Sequence, residues 1–159
     1  MNDELVRTDI VFDSKAAAVP YNYRISFKMS LICLVIGKCC GKRGCSSIKL
    51  QMINAAIGTS LSRKELISLT DNQIVNEVTL IRFDPAVSRA IGYSISNEII
   101  YQQGNGLFRL TKIGKSLLAE IYKDTSLMTI EKDFVCSLSN KLTEELVEGI
   151  AQKWRVLNA

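Results

Sequence analysis

The densest group of chemically capable side chains in this chain lies in the loop Lys38–Cys45, which reads KCCGKRGC. Its glycines and its lysine invite comparison with a Walker A phosphate-binding loop, which has four residues between its glycines and then Gly-Lys-Ser/Thr. Here three residues separate Gly37 from Gly41, and an arginine follows Lys42. A phosphate-binding loop also follows a strand, whereas this loop follows a predicted helix. The spacing therefore favours a solvated turn between helices.

Three of the five cysteines lie in the same loop, at Cys39, Cys40 and Cys45. Zinc takes four ligands, usually from paired Cys-x-x-Cys units or together with histidine, and this chain contains no histidine. Cys33 belongs to an apolar helical segment, and Cys136 is far away in the sequence. The pattern favours buried or incidental thiols over a metal site, and no cofactor is expected.

Four basic side chains in and beside the loop form the densest positive cluster of the chain: Lys38, Lys42, Arg43 and Lys49. Such a cluster could rest on a phosphate backbone beside a helix N-terminus. A charged run on a loop is more often a solubilising face. The cluster is therefore a candidate for nucleic-acid contact, with solvation as the commoner alternative.

The length and amino-acid composition are those of a globular chain that buries a hydrophobic core. Of 159 residues, 47% are hydrophobic and 23% are charged, which fits one domain with room for a small appendage. A net charge of +4 is compatible with nucleic-acid contact without demanding it. No apolar run approaches the ~18 residues of a membrane span, and the N-terminus lacks the pattern of a signal peptide. We expect a cytoplasmic protein with reduced thiols and no membrane partner.

A catalytic constellation is missing from the sequence. The absence of histidine removes the commonest general base. No serine or cysteine stands in the context of a nucleophile elbow, and no carboxylate pair has a spacing that indicates glycosidase or metal chemistry. The sequence predicts a protein that is not an enzyme, so its function depends on what it binds.

The segment Arg82–Ile121 organises the rest of the chain, with a predicted order of helix, hairpin and helix. Asp84 is placed to cap the first helix, and Pro85 suits the first helical position. Two strands, Ile99–Gln103 and Leu107–Leu110, flank a turn, and Thr111 caps a helix with the apolar positions Ile113, Leu117, Leu118 and Ile121. This order is typical of the back half of a winged-helix domain.

The elements predicted before this segment form the front half of such a domain with one extra element. The helix Arg24–Lys38 is apolar on nearly all sides, which is typical of a central helix. A second helix begins after Ser46 or Ser47. A third spans about Ser60–Thr70, with Ser62 as its cap and Leu61 among its packed positions, and a strand is predicted near Val78–Arg82.

Two amphipathic helices are predicted after the wing, at Thr129–Leu138 and after the cap residue Thr143. The second carries an apolar stripe that is either core or partner surface, with core favoured: Leu142, Leu146, Ile150 and Trp154. We therefore predict a mainly α fold with a small β-hairpin. It comprises an N-terminal extension (1–20), a winged-helix-like domain (21–125) and a C-terminal helical appendage (126–159).

The helix before the wing would read bases in a DNA-binding winged helix. Its polar side chains are mostly serines, and only Arg89 is a strong binder of guanine or phosphate. Arg109 and Lys112 lie beyond the wing tip and are further candidates for nucleic-acid contact. A sequence reader usually carries more Arg, Lys, Asn and Gln on this helix. The composition favours protein–protein contact over sequence-specific DNA reading.

Several short motifs resemble a known family. The segments Ile81–Pro85 (IRFDP), Arg89–Ile91 and Leu110–Lys115 (LTKIGK) look like those of the small middle components of bacterial ABC-three-component systems. These include the small subunit of Lamassu-type anti-phage defence. Leu50–Ala56 is similar to the family's second helix, and the resemblance covers roughly residues 24 to 155.

The resemblance implies a non-catalytic subunit. It would bridge an SMC/Rad50-like ATPase and an effector, commonly a nuclease, and hold the effector inactive until the ATPase engages phage-derived or abnormal DNA. Double-stranded DNA would then be a partner through the complex. The alternative is a winged-helix transcription regulator, which would dimerise and bind a specific operator.

Overall fold

The computed structural model describes residues 18–71 and 81–159 of the chain. Within these residues it has seven α-helices and one two-stranded antiparallel sheet, which confirms the predicted mainly α fold with a small hairpin. A 3-10 turn at Tyr21–Tyr23 precedes the first helix. The elements are α1 (Ile25–Cys39), α2 (Ser47–Ile57), α3 (Ser60–Thr70), α4 (Pro85–Ser96), β1 (Ile100–Gln102), β2 (Phe108–Leu110), α5 (Lys112–Lys123), α6 (Thr129–Leu138) and α7 (Glu144–Leu157).

Helix α1 is the centre of the fold, as predicted from a sequence that is apolar on nearly all sides. Every residue from Leu31 to Ile36 is buried, and α1 packs against α4, α5 and α6. A helix covered by neighbours on several sides keeps no solvent face in that stretch, which explains why its sequence lacks a polar stripe there.

The hairpin is joined by a third short piece of extended chain. Ile100 on β1 lies opposite Leu110 on β2. On its other side β2 meets Cys45, whose N–H donates to the Phe108 carbonyl at 2.9 Å and whose carbonyl accepts from the Phe108 N–H at 2.8 Å. β2 therefore lies between β1 and the Cys45 bridge. This pairing joins the chain between α1 and α2 to the second strand of the hairpin.

Most helix starts follow the predicted caps. The side chains of Ser46, Asp84, Thr111 and Thr143 each accept a hydrogen bond from a backbone N–H two or three residues later. The prediction for α3 was wrong, because Thr59 is the cap. Its hydroxyl accepts from the Ser62 N–H at 3.1 Å.

Two apolar positions are not where periodicity placed them. Leu61 and Ile113 were predicted to pack, and both side chains are exposed. Each lies in the first turn of its helix, at a point where no other element covers it. The predicted strand near residue 78 and the N-terminal extension up to residue 17 lie outside the described residues. Ile81 and Arg82 are described and are not in a strand.

The C-terminal helices share the core of the preceding helices. Buried residues of α6 and α7 belong to the same hydrophobic cluster as α1 and α2: Phe134, Val135, Leu138, Val147 and Ile150. The core therefore continues across residue 125, where the sequence predicted the start of an appendage.

Gly114 sets how closely α5 approaches the hairpin, and replacing it by alanine tests that packing. A Cβ at this position would overlap the backbone carbonyl oxygen of Ile99, which cannot turn aside as a side chain does. We expect Gly114→Ala to lower the free energy of unfolding by about 3 kcal/mol, measured by urea denaturation.

The matched control is Gly149→Ala in α7, where an added methyl group meets open space. There alanine should raise the free energy of unfolding by up to about 1 kcal/mol, because it favours the helix more than glycine does. Wild-type stability in Gly114→Ala would contradict the described contact between α5 and the hairpin.

Candidate interaction surfaces

A polar junction holds the N-terminus of α4 against α1 and α2. The Asp84 Oδ1 accepts from the Ala86 N–H at 2.9 Å and caps α4, while Oδ2 accepts from the Lys28 ammonium at 2.7 Å. Lys28 is only 5% exposed, and its ammonium also donates to the Asn54 Oδ1 at 3.1 Å. A lysine this deeply buried is retained because it is paired.

Gln51 completes this junction by binding the backbone of Asp84. Its Oε1 accepts from the Asp84 N–H at 2.8 Å, and its Nε2 donates to the Asp84 carbonyl at 3.2 Å. We call Lys28, Gln51, Asn54 and Asp84 the Asp84 junction. It joins two of the motifs that carry the family resemblance, since Gln51 and Asn54 come from LQMINAA and Asp84 from RFDP.

The Asp84 junction was not predicted from the sequence, because Gln51 and Lys28 are 33 and 56 residues from Asp84 in the chain. The available signal was the presence of a lysine, a glutamine and an asparagine on otherwise apolar helices. Burial acts to raise the pKa of Asp84, but the hydrogen bonds from Lys28 and from the Ala86 N–H outweigh it and leave the pKa below its ordinary value. The junction therefore contains an ion pair at neutral pH.

An aromatic groove opens beside the Asp84 junction. It has a volume of about 330 Å³ and lies between the Tyr21–Tyr23 turn, the end of α2 and residues 82–85. Phe83 is 71% exposed and Tyr23 is 66% exposed at its rim. Large exposed aromatic side chains around a concavity are typical of protein contact sites.

A second groove lies on the outer side of the hairpin, and we call it the wing groove. It has a volume of about 410 Å³, and its exposed apolar side chains are Ile95 of α4, Tyr101 of β1 and Ile113 of α5. Its charged lining residues are Glu98 and Lys112, which are of opposite sign. This surface is apolar at the end of α4 where a DNA reader would carry polar and basic groups.

Lys49 was predicted as a nucleic-acid contact, and the structure corrects this. The residue is only 2% exposed, and its ammonium donates to the carbonyl oxygen of Cys39 at 2.9 Å. That carbonyl belongs to the last residue of α1, where the helix dipole favours a positive charge. Lys49 therefore stabilises the end of α1 and cannot reach a phosphate from this position.

The other basic residues of the predicted cluster are exposed but have different surroundings. The Lys38 ammonium lies 4.6 Å from the centre of the Tyr122 ring. Arg43 forms an ion pair with Glu145 at 3.1 Å on the surface. Lys42 is exposed and takes part in no ion pair within the part of the chain that the structure describes.

The three candidates around the wing are spread over different elements. Arg89 is exposed on α4, Lys112 is exposed at the start of α5, and Arg109 is half-buried on β2. Lys112 lines the wing groove. Their contact with nucleic acid stays a prediction.

Comparison with known proteins finds no match. No family model matches the chain, and neither a curated protein nor a solved structure does. Within residues 18–71 and 81–159, no helix is long and apolar enough to cross a bilayer. Nor do those residues bring together three or more Cys, Asp or Glu side chains in a way that could hold a metal ion.

The apolar stripe of α7 divides into a buried part and an exposed part. Leu142 and Ile150 are buried in the core, and Leu146 packs against it half-buried. Leu142 and Ile150 are therefore not available to a partner, contrary to that alternative of the prediction. Trp154 is 38% exposed, and Val156 is exposed after it, so only the last turn presents apolar surface.

Proposed function

We propose that this protein is a non-catalytic adaptor subunit that bridges an SMC/Rad50-like ATPase and an effector nuclease in an anti-phage defence complex. The observation that carries the adaptor role is the wing groove, which is apolar where a DNA-reading winged helix is polar. The resemblance of the IRFDP and LTKIGK motifs to the middle components of ABC-three-component systems supports the choice of partners. In this proposal the adaptor helps to hold the nuclease inactive until the ATPase engages DNA.

The exposed side chains of the wing groove favour burial against a protein. Transfer of a large aliphatic or aromatic side chain from water to an interface core contributes roughly 1.5–3 kcal/mol. Ile95, Tyr101 and Ile113 offer three such side chains on adjacent elements. By contrast, the outer side of α4 offers one arginine for base or phosphate contact, Arg89.

A bridging role requires two surfaces, and α4 connects two. Its first residue, Pro85, lines the aromatic groove, and Ile95 near its end lines the wing groove. Ten residues of α-helix separate these points by roughly 15 Å along the axis. The two grooves are thus distinct surfaces held by one helix, which fits simultaneous contact with two partners.

Co-expression with an SMC/Rad50-like ATPase and a nuclease of the kinds that the resemblance implies tests the proposal. Ile113→Glu places a carboxylate in the wing groove, and Phe83→Glu places one at the aromatic groove. Each should weaken co-purification of a different partner by about tenfold or more, since a carboxylate is poorly accommodated in an apolar contact. The fold should persist because both side chains are exposed and a Glu in the first turn of α5 suits the helix dipole.

The matched control is Leu61→Glu, an equally exposed apolar position on α3 that lines neither groove. It should retain both partners. Elution of the wild-type protein as a monomer in the presence of both proteins would overturn the proposal. So would full retention of both partners by Ile113→Glu and Phe83→Glu.

The exposure of Arg89 and Lys112 supports a second candidate, a winged-helix transcription regulator. In that case the protein binds a specific duplex at physiological salt. Arg89→Ala or Lys112→Ala would then reduce the slope of the log binding constant against log salt concentration by about one, which is the contribution of one phosphate contact. No preference for any duplex over random DNA would remove this candidate.

A further inference from the structure

A third groove contains a buried carboxylate, and we call it the Glu131 groove. It has a volume of about 400 Å³ and lies between the start of α1 and the start of α6. Phe27 lines both this groove and the aromatic groove, and the Glu131 groove is the one that α6 borders. Its lining also includes Met128, which is buried, so much of the inner wall is apolar.

Glu131 itself is only 4% exposed. It lies in the first turn of α6, on the same side of the helix as the core residues Phe134 and Val135. Within residues 18–71 and 81–159, its carboxylate accepts no hydrogen bond and makes no ion pair. In that part of the chain, the Ser94 Oγ is the one fully enclosed side-chain oxygen or nitrogen without a partner, so the unpaired Glu131 oxygens keep access to the groove that they line.

The surroundings of Glu131 lack the cation that a buried carboxylate normally has. Charged side chains at this depth are almost always paired, because burial removes their hydration. The position of Glu131 near the N-terminus of α6 lowers the cost, since the helix dipole favours a negative charge there. The dipole does not supply the direct donors that the two carboxylate oxygens can take.

Arg24 is the other charged residue among the described residues that line the groove. It is exposed, and its Nε donates to the carbonyl oxygen of Val19 at 3.1 Å. Within the described residues it forms no ion pair with Glu131. The negative charge is therefore the inner one, and the positive charge lies at the solvent side.

We propose that the Glu131 groove binds a lysine or arginine side chain of a partner protein. The cationic head donates to the Glu131 carboxylate, and the aliphatic stem packs on the apolar lining that includes Phe27 and Met128. Lysine and arginine combine these two features, an apolar stem and a charged head. The site rests on its own contacts and does not depend on the adaptor function.

The rim of the groove indicates a polypeptide as the source of this cation. Three lining residues expose large side chains: Tyr21, Leu127 and Ile130. A small free amine would leave these side chains in water, whereas the residues that flank a basic side chain in a polypeptide can cover them.

An NMR titration of the isotope-labelled full chain with blocked tripeptides tests this inference. The central residue is lysine, arginine, norleucine or glutamate, and a leucine stands on either side. We expect the lysine and arginine peptides to shift the amide signals of Thr129–Lys132 saturably, with binding at least about tenfold tighter than that of the norleucine peptide. The glutamate peptide should not bind, because its carboxylate would meet that of Glu131.

Glu131→Gln removes the charge and keeps the shape of the side chain, so it should abolish the preference for the basic peptides over norleucine. Glu148→Gln is the matched control. It makes the same substitution on the surface of α7, where the Glu148 carboxylate pairs with Arg155 at 3.4 Å. This variant should keep the wild-type preference.

Four results would overturn the inference. They are the absence of saturable shifts with every peptide, equal binding of the lysine and norleucine peptides, preferred binding of the glutamate peptide through Arg24, and retention of the basic preference by Glu131→Gln. Binding of n-butylamine, which has the same head and stem as lysine, as tightly as the lysine peptide would also overturn the choice of a protein partner. The comparison among peptides on the wild-type protein decides the question even where a variant folds poorly.

Discussion

Asp84→Ala is expected to lower the free energy of unfolding by about 3 kcal/mol, in urea denaturation at neutral pH. The substitution leaves the buried Lys28 ammonium without its carboxylate partner and removes the cap of α4. Loss of one member of a buried ion pair costs about 3–5 kcal/mol. We expect the lower end of that range because Asp84 is partly exposed and Asn54 still accepts from Lys28.

Asp84→Asn separates the two contributions of this residue. Asparagine keeps an oxygen for the Ala86 N–H and removes the charge, so the difference between the Ala and Asn variants measures the cap, about 1 kcal/mol. The remainder measures the ion pair. A loss below about 0.5 kcal/mol in Asp84→Ala would place this carboxylate with ordinary surface residues and contradict the Asp84 junction.

The pH dependence gives an independent check on the same pair. The pKa of Asp84 in the folded protein is lowered from its ordinary value of 3.8. Its contribution to stability is therefore complete above pH 3.8 and is lost as the pH falls through the folded-state pKa. The stability difference between wild type and Asp84→Asn should shrink over that acidic range and stay constant near neutrality.

Leu142→Ala is expected to lower the free energy of unfolding by about 3 kcal/mol, because it removes a completely buried side chain just before α7. The cavity lies where the start of α7 joins the common core. Trp154, the only tryptophan of the chain, sits near the end of α7. Its fluorescence and far-UV circular dichroism together follow the unfolding of this helix and of the whole fold.

Val156→Ala is the matched control for this prediction, since its side chain is exposed on the last turn of α7. It should change the free energy of unfolding by less than about 0.5 kcal/mol. Unfolding of α7 in Leu142→Ala at lower urea than the remaining helices would show that the C-terminal helices form a separate unit. A single coincident transition would support the shared core.

What could be predicted from the sequence was mostly local. The caps Asp84, Thr111 and Thr143 were identifiable because each bonds a backbone N–H only two or three residues away. The burial of Leu31–Ile36 in α1 followed from a stretch without polar side chains. A cap bonds within its own segment, and a segment without a polar face favours burial whichever elements cover it.

Apart from the cap of α3, the errors and omissions concern contacts between distant parts of the chain. Whether Lys49 is a surface charge or a buried donor depends on whether the loop places it beside the last turn of α1. The residues adjacent to Lys49 in the sequence do not reveal that placement. The pairing of Lys28 with Asp84 has the same origin. Periodicity identified Ile113 as apolar, but it does not reveal whether another element covers that position.

The Asp84 junction also has an evolutionary consequence. Gln51 binds the main chain of residue 84, so its role is independent of which side chain stands there. Lys28 recognises the carboxylate itself. In related sequences Lys28 and Asp84 should therefore change together, as a lysine with an acid or as two uncharged residues. Gln51 should be conserved both in sequences with the charged pair and in sequences with the uncharged pair.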